Sequence, residues 1–398
     1  MLNFFDHEGA MTHSLAGRPN GLRGASVESP VREQPSMARM RAVHRAAVEL
    51  RRGVPVLLTG PAPLVLLAAE TVGERGLREF RALAAEPPTM LLARSRADGV
   101  LDRPPRTTSP VVALRLTPGL LEPRALQALA DPTLDQSLTE TPREVAIPEA
   151  AGAALALVKL SRLLPAALAA PAGPAAAEAA ARLGLLSVPA ADAANYPAAG
   201  LAGLTRVTEA RVPLEAAKEC TIVVFRTDDA GVEHLAIVVG DLKSVEAPLV
   251  RLHSECFTGD LLGSLRCDCG LQLRGAIRRM AREHAGVLLY LAQEGRGIGL
   301  VNKLRAYALQ DRGLDTLDAN RALGWGADER DFLVAATMLE ALGLRRVRLL
   351  TNNPEKLAAL AACGIDVAGR VPHAFAPNGV NDQYLATKAH RFGHLLSG

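Results

Sequence analysis

Aromatic residues make up only 3% of the 398 positions. The cores must therefore be aliphatic and alanine-rich, and a surface that binds single-stranded nucleic acid by stacking its bases on aromatic platforms is disfavoured. Net charge is equally scarce. Forty-five Lys and Arg against 42 Asp and Glu leave a formal +3, so no global basic field draws in DNA or RNA, and any anion site must be local. No run reaches the roughly 18 apolar residues of a membrane span, and the opening MLNFFDHEGA lacks a basic segment followed by an apolar one. These absences predict a cytoplasmic protein with neither nucleic acid nor membrane as partner. Cysteines number five, an odd count, and three crowd into residues 256–269. That pattern suits a metal or catalysis in a reducing compartment better than a disulfide framework. No repeat of fixed period is present.

What is present is ample core material, 49% hydrophobic and 22% charged residues, on a chain longer than one core usually organises. Two domains are expected. Residues 1–36 mix Gly, Pro, Ser and charge without apolar period and read as a flexible tail. From Met37 apolar residues recur at helical spacing up to Gly53; VPVLL, a turn TGPAP, and LVLLAAET then suggest a strand, a tight turn and a second apolar element. The alanine-rich stretch 151–181, with Pro165, Pro171 and Pro174, reads as one helix followed by a surface or interdomain segment. Beyond about residue 200, TIVVFRT, HLAIVVG and PLVRLH read as strands, and helices then alternate with strands at VLLYL and VRLLT. The fold class is α/β in two domains, divided at 205/206.

The strongest chemical signal is CFTGDLLGSLRCDCG, in which Cys256, Cys267 and Cys269 offer three thiols as C-x10-C-x-C. Three protein ligands leave a position open for water, as in catalytic zinc sites; a structural site completed by His253 or a distant histidine is the competing reading. Just before the first thiol stands RLHSE, residues 251–255, whose polar groups either cap the strand or contact a substrate. EGRGIGLVNKLRAYALQ follows an apolar strand and leads into a helix. Its glycines let backbone approach a ligand and a helix N-terminus favours phosphate, although a packing role explains them equally. LLTNNPEK repeats the strand-to-helix logic with Pro354 in the first turn. GADERDF places Asp328 and Arg330 on one loop before a helix, where ordinary capping is the bland account.

Together, in this order, RLHSECFTGD, SLRCDCG, EGRGIGLVNKLRAYALQD, ADERDF and LLTNNPEK resemble GTP cyclohydrolase II over roughly residues 206–398. The resemblance implies a mixed sheet with flanking helices, a homodimer, and hydrolysis of GTP to 2,5-diamino-6-(5-phospho-ribosylamino)pyrimidin-4(3H)-one, formate and pyrophosphate, the first step of riboflavin synthesis. It implies one Zn2+ per subunit on Cys256, Cys267 and Cys269, activating water for attack on carbon 8 of guanine, and Mg2+ with the triphosphate. Asp328 corresponds to a proton acceptor, Arg330 to a nucleophile on the α-phosphate, and Tyr307 to a tyrosine near the base. A guanidinium is a poor nucleophile, so charge stabilisation by Arg330, oriented by Asp328, is the physically easier role. GTP contacts carry over to Arg251, Leu252, His253, Ser254, Glu255, Gln272, Glu294, Gly295, Arg296, Thr316, Thr351 and Lys356, with Gln272 and Glu294 suited to the guanine edge.

Residues 37–205 resemble, more faintly, a degenerate 3,4-dihydroxy-2-butanone 4-phosphate synthase. The acidic magnesium-binding loop of that family should fall at residues 59–63, which read Thr59, Gly60, Pro61, Ala62 and Pro63. No histidine lies between His44 and His234, and no cysteine precedes Cys220. A structural or regulatory domain is expected, with Glu70 a capping or helix-surface residue. The rivals are a bifunctional enzyme and a zinc-stabilised nucleotide binder without turnover.

Overall fold

The computed structural model describes residues 35–135, 140–199, 203–227 and 232–395; the expected tail, residues 1–36, lies almost wholly outside them. Residues from Pro35 onward form one compact unit. Within it, two seven-stranded sheets follow one another along the chain.

The first sheet comprises β1 (Val56–Thr59), β2 (Leu64–Ala68), β3 (Thr89–Ala93), β4 (Val111–Arg115), β5 (Arg143–Val145), β6 (Ala166–Pro171) and β7 (Ser187–Pro189) in the order β5-β4-β3-β6-β2-β1-β7. The alanine-rich segment expected at the surface is instead β6, the central strand, with Ala166 to Ala170 all buried. Small side chains pack against helices on both faces, and burial overrides alanine's weak strand preference. Pro165 precedes the strand and Pro171 ends it, positions that proline tolerates. One face is covered by helices Pro35–Arg51 and Ala151–Leu160.

The second sheet comprises β8 (Leu204–Arg211), β9 (Cys220–Thr227), β10 (Glu233–Gly240), β11 (Leu249–Ser254), β12 (Ala285–Leu291), β13 (Arg346–Leu350) and β14 (Asp366–Val371), ordered β14-β13-β11-β12-β10-β9-β8. Position 205/206 falls inside β8. Four strands, β14, β13, β11 and β12, are parallel, and β10, β9 and β8 continue antiparallel. From β11 the chain crosses to β12 on one side, whereas β13 leads to β14 on the other. In open sheets with parallel strands, ligands bind where such connections diverge, at the carboxyl ends.

The halves share a core. Ile298, Ala306, Leu309, Ala319, Leu323 and Trp325 join the hydrophobic cluster on the first sheet's other face. Each large side chain buried there contributes roughly 1.5–3 kcal/mol. Polar ties run along the same seam. Arg305 pairs with Glu70 at 2.9 Å and Asp131 at 2.7 Å, and Lys159 with Glu329 at 2.6 Å. Asn302 donates to the Arg162 carbonyl and Arg162 to the Ala292 carbonyl, both at 3.0 Å. Glu70, expected as a cap, therefore joins the two halves, also accepting from the Leu164 amide at 2.7 Å.

Candidate active site

Strands β11, β12 and β13 end side by side at an open cleft of about 150 Å³. Their carboxyl ends and exits supply residues 251–256, Glu294, and Thr351 to Asn353. Every expected substrate contact lines this cleft: Arg251 to Glu255, Gln272, Glu294 to Arg296, Thr316, Thr351 and Lys356. So do Tyr307, Arg330 and the three cysteines. Asp328 stands behind, hydrogen-bonded to Arg330.

Cys256 follows β11, while Cys267 and Cys269 come from the turn that opens helix Cys269–Glu283. Their sulfurs lie within 4.8 Å of one another. A Cβ on Gly259 would stand 2.7 Å from the Cys267 sulfur and 3.0 Å from that of Cys256. The loop therefore wraps the thiols closely enough to require glycine. Among the described residues, no His, Asp or Glu joins this metal-ligand group. His253, the candidate fourth ligand, instead turns Nε2 toward Asp260 at 3.1 Å and stacks on Tyr290. The donor set fits an ion that prefers thiolate, and it leaves a coordination position outside the protein.

Lys303 lies 3.0 Å from the Cys256 sulfur and 2.8 Å from Glu294. Hydrogen bonds from Cys267 and Cys269, and then from Lys303, hold the Cys256 thiol well below its usual value against the effect of burial. Burial works against the Lys303 ammonium, but Glu294 and Cys256 outweigh it and keep it protonated. Glu294 also accepts from the Phe257 amide at 2.7 Å and the Gly295 amide at 2.9 Å. It thus fastens the glycine turn to the thiol loop. Gly295, Arg296, Gly297 and Gly299 all have positive φ, and a Cβ on Gly297 would stand 2.7 Å from the Glu329 carbonyl oxygen. The turn thereby seats itself on the loop carrying Asp328 and Arg330.

Behind the thiols runs a buried polar chain. Arg251 bonds Gln272, Gln272 bonds Asp268, and Asp268 meets Lys388 at 2.7 Å. Arg251 also donates to the Leu350 carbonyl at 2.9 Å. Burial lowers Arg251 to about 10. Lys356 is more exposed to this effect: burial first, then Arg330 and Arg251, push its ammonium well down, and its hydrogen bond goes to the Leu252 carbonyl at 2.9 Å. Arg330 grips Asp328 through Nε at 2.8 and 3.0 Å. Burial works to raise the Asp328 carboxyl, but this grip holds it below its usual value. Tyr307 faces the cleft with Arg266 and Lys303 near its ring, and burial raises its phenol. A cleft of buried cations beside a thiol cluster can bind an anionic substrate and present it to a metal.

Lys303, one helical turn before Tyr307, shares its face of the helix, a placement legible in the sequence. Other residues around the cleft were not singled out. Asp260 and Asp268 stand inside the thiol motif and are held by local contacts; Tyr384, Lys388 and His394 gave no local signal, because long-range packing alone brings them to the cleft.

Residues 205–372 match the family model described as GTP cyclohydrolase II. A protein named GTP cyclohydrolase-2 from Azospirillum brasilense is 52% identical over 370 residues, covering 90% of this chain and 95% of that protein. A protein of the same name from Actinobacillus succinogenes is 52% identical over 196 residues, covering 49% of this chain and 90% of that one. A solved two-domain 3,4-dihydroxy-2-butanone 4-phosphate synthase from A. baumannii aligns at 18% identity and TM-score 0.31, covering 78% of this chain and 93% of that chain. These matches make the chain a hydrolase. The chain belongs to the GTP cyclohydrolase II family.

Proposed function

We propose that this protein opens the imidazole ring of GTP and cleaves its triphosphate, yielding 2,5-diamino-6-(5-phospho-ribosylamino)pyrimidin-4(3H)-one, formate and pyrophosphate for riboflavin synthesis. One observation carries the reading: three clustered thiols stand beside a cleft whose buried cations exceed its buried carboxylates. Cys256, Cys267 and Cys269 would hold one zinc ion per subunit, which supplies Lewis acidity and hydroxide at neutral pH. The Mg2+ expected with GTP would ride on the substrate's own phosphates.

The chain's residues divide the remaining work. Tyr307, kept protonated by burial, gives a proton to the opening ring. Arg330 steadies charge at the α-phosphate, with Asp328 fixing its plane; a carboxylate already held down by its partner is a weak base and a good orienting group. Lys356, buried and without a carboxylate partner among the described residues, awaits phosphate oxygens. Lys303 and Glu294 hold the thiol loop and glycine turn together while Arg251 and Gln272 stiffen the floor. A reducing compartment, the cytoplasm, keeps the thiols free, and a homodimer is the proposed assembly. Supplying GTP and magnesium to purified protein should produce formate and pyrophosphate together; retention of GTP with no formate would favour a nucleotide binder without turnover.

A further inference from the structure

The family-model match ends at residue 372, yet the cleft does not. Helix Asp382–Phe392 brings Tyr384 and Lys388 to its wall, and His394 lines it from the turn that follows. Gly393, in the left-handed region, ends the helix, and the amide of His394 donates back to the Lys388 carbonyl at 3.0 Å. Three ties fix this segment over the site. Lys388 pairs with Asp268, between two of the thiols. The Arg296 guanidinium lies 4.1 Å from the centre of the Phe392 ring. The Leu395 amide donates to the Asn352 carbonyl at 2.8 Å.

The ties leave the His394 imidazole facing the cleft with no hydrogen-bond partner among the described residues. Burial, and after it the charges of Lys388, Arg296, Lys356 and Arg330, hold it down at about 3. Asp268 and Asp328 neutralise Lys388 and Arg330; Arg296 and Lys356 form no ion pair among the described residues. The corner is built for an anion with several oxygens. We propose that the C-terminal helix and its following turn form a clasp over the substrate's polyphosphate, in which His394 donates a hydrogen bond to a phosphate oxygen beside Arg296 and Lys356. The proposal rests on the GTP reading for the source of that polyphosphate, but the clasp recognises the phosphate chain itself.

Calorimetric titration of the zinc-loaded full chain with inorganic tripolyphosphate, and separately with guanosine, tests it. His394→Ala should weaken tripolyphosphate binding about tenfold, the scale of one hydrogen bond to a charged group, and leave guanosine unchanged. His394→Gln, which keeps a donor, should recover part of the loss. Unchanged tripolyphosphate affinity in His394→Ala, or an equal loss for guanosine, would overturn the clasp. Wild-type protein that binds tripolyphosphate with this dependence but ignores guanosine would support the clasp while removing the GTP reading.

Discussion

Around the first sheet, the buried polar or charged side chains among the described residues are Arg96, Asp131 and Ser161; around the second they run from Thr227 to Lys388 and gather where β11, β12 and β13 end. Burying a polar group is costly unless it is partnered. The second half bears that cost at the cleft, where unpartnered charge can meet a ligand. The first half buries fewer such groups, and three of its buried or half-buried charges, Asp131, Glu70 and Lys159, face the seam. Asp131 and Glu70 both hold Arg305, which lies between Lys303 and Tyr307 on one helix. The comparison teaches that the first sheet acts as an apolar wall behind the helix carrying Tyr307, and relatives that match only half of this chain bear the same name.

The sharpest break should come at the thiols. Cys267→Ser should remove both zinc and formate release, measured by metal analysis and formate assay on one sample; full activity without zinc would end the account of the site. Arg330→Ala should lower pyrophosphate release by about 10²–10³, the scale of losing one charge-stabilising donor, with the protein still folded by circular dichroism. Tyr307→Phe should separate the chemistries. Formate release falls by about 10²-fold or more while pyrophosphate release survives better, and equal losses would show that Tyr307 serves neither step alone.

The wall should respond differently. Glu70→Gln leaves Arg305 with Asp131 as its one carboxylate partner among the described residues, beside its hydrogen bond to Asn302; the pair is partly exposed, so a loss of about 1–2 kcal/mol is expected, visible as a lower Tm with unchanged zinc content. Given ribulose 5-phosphate and magnesium, the protein should make no 3,4-dihydroxy-2-butanone 4-phosphate, because the turn between β1 and β2 offers no carboxylate; product at enzymatic rates would make the first half a second enzyme. Acidification should strike the second half. His234 and His373 are buried and held at about 4, by burial first and then by Arg162 and Arg251 respectively. A histidine lowered in the folded state favours folding above its unfolded value near 6.5 and loses that contribution as pH falls toward 4. His373→Gln should flatten the fall in Tm between pH 6.5 and 4.

Much of the site was legible because its residues stand in contiguous runs at strand exits: RLHSEC after β11, QEGRG after β12, TNNPEK after β13. Alternating apolar strands and helices announced the parallel sheet that aligns those exits. Strand β6 was not legible, since alanine carries little strand preference and only burial on both faces explains it. Glu70 was misread for a related reason: its partner Arg305 lies 235 residues away, and nothing local marks the pair. Lys388 and His394 were hidden likewise, as charged residues near a chain end ordinarily face solvent.

The most direct test of the account is simultaneous quantification of zinc, formate and pyrophosphate from one preparation turning over GTP. Zinc at one per chain, with formate and pyrophosphate accumulating in equal amounts from the loaded protein, and formate lost when the metal is stripped and regained when it is restored, is the predicted result; pyrophosphate without formate from the zinc-loaded protein, or formate from zinc-free protein, would contradict it.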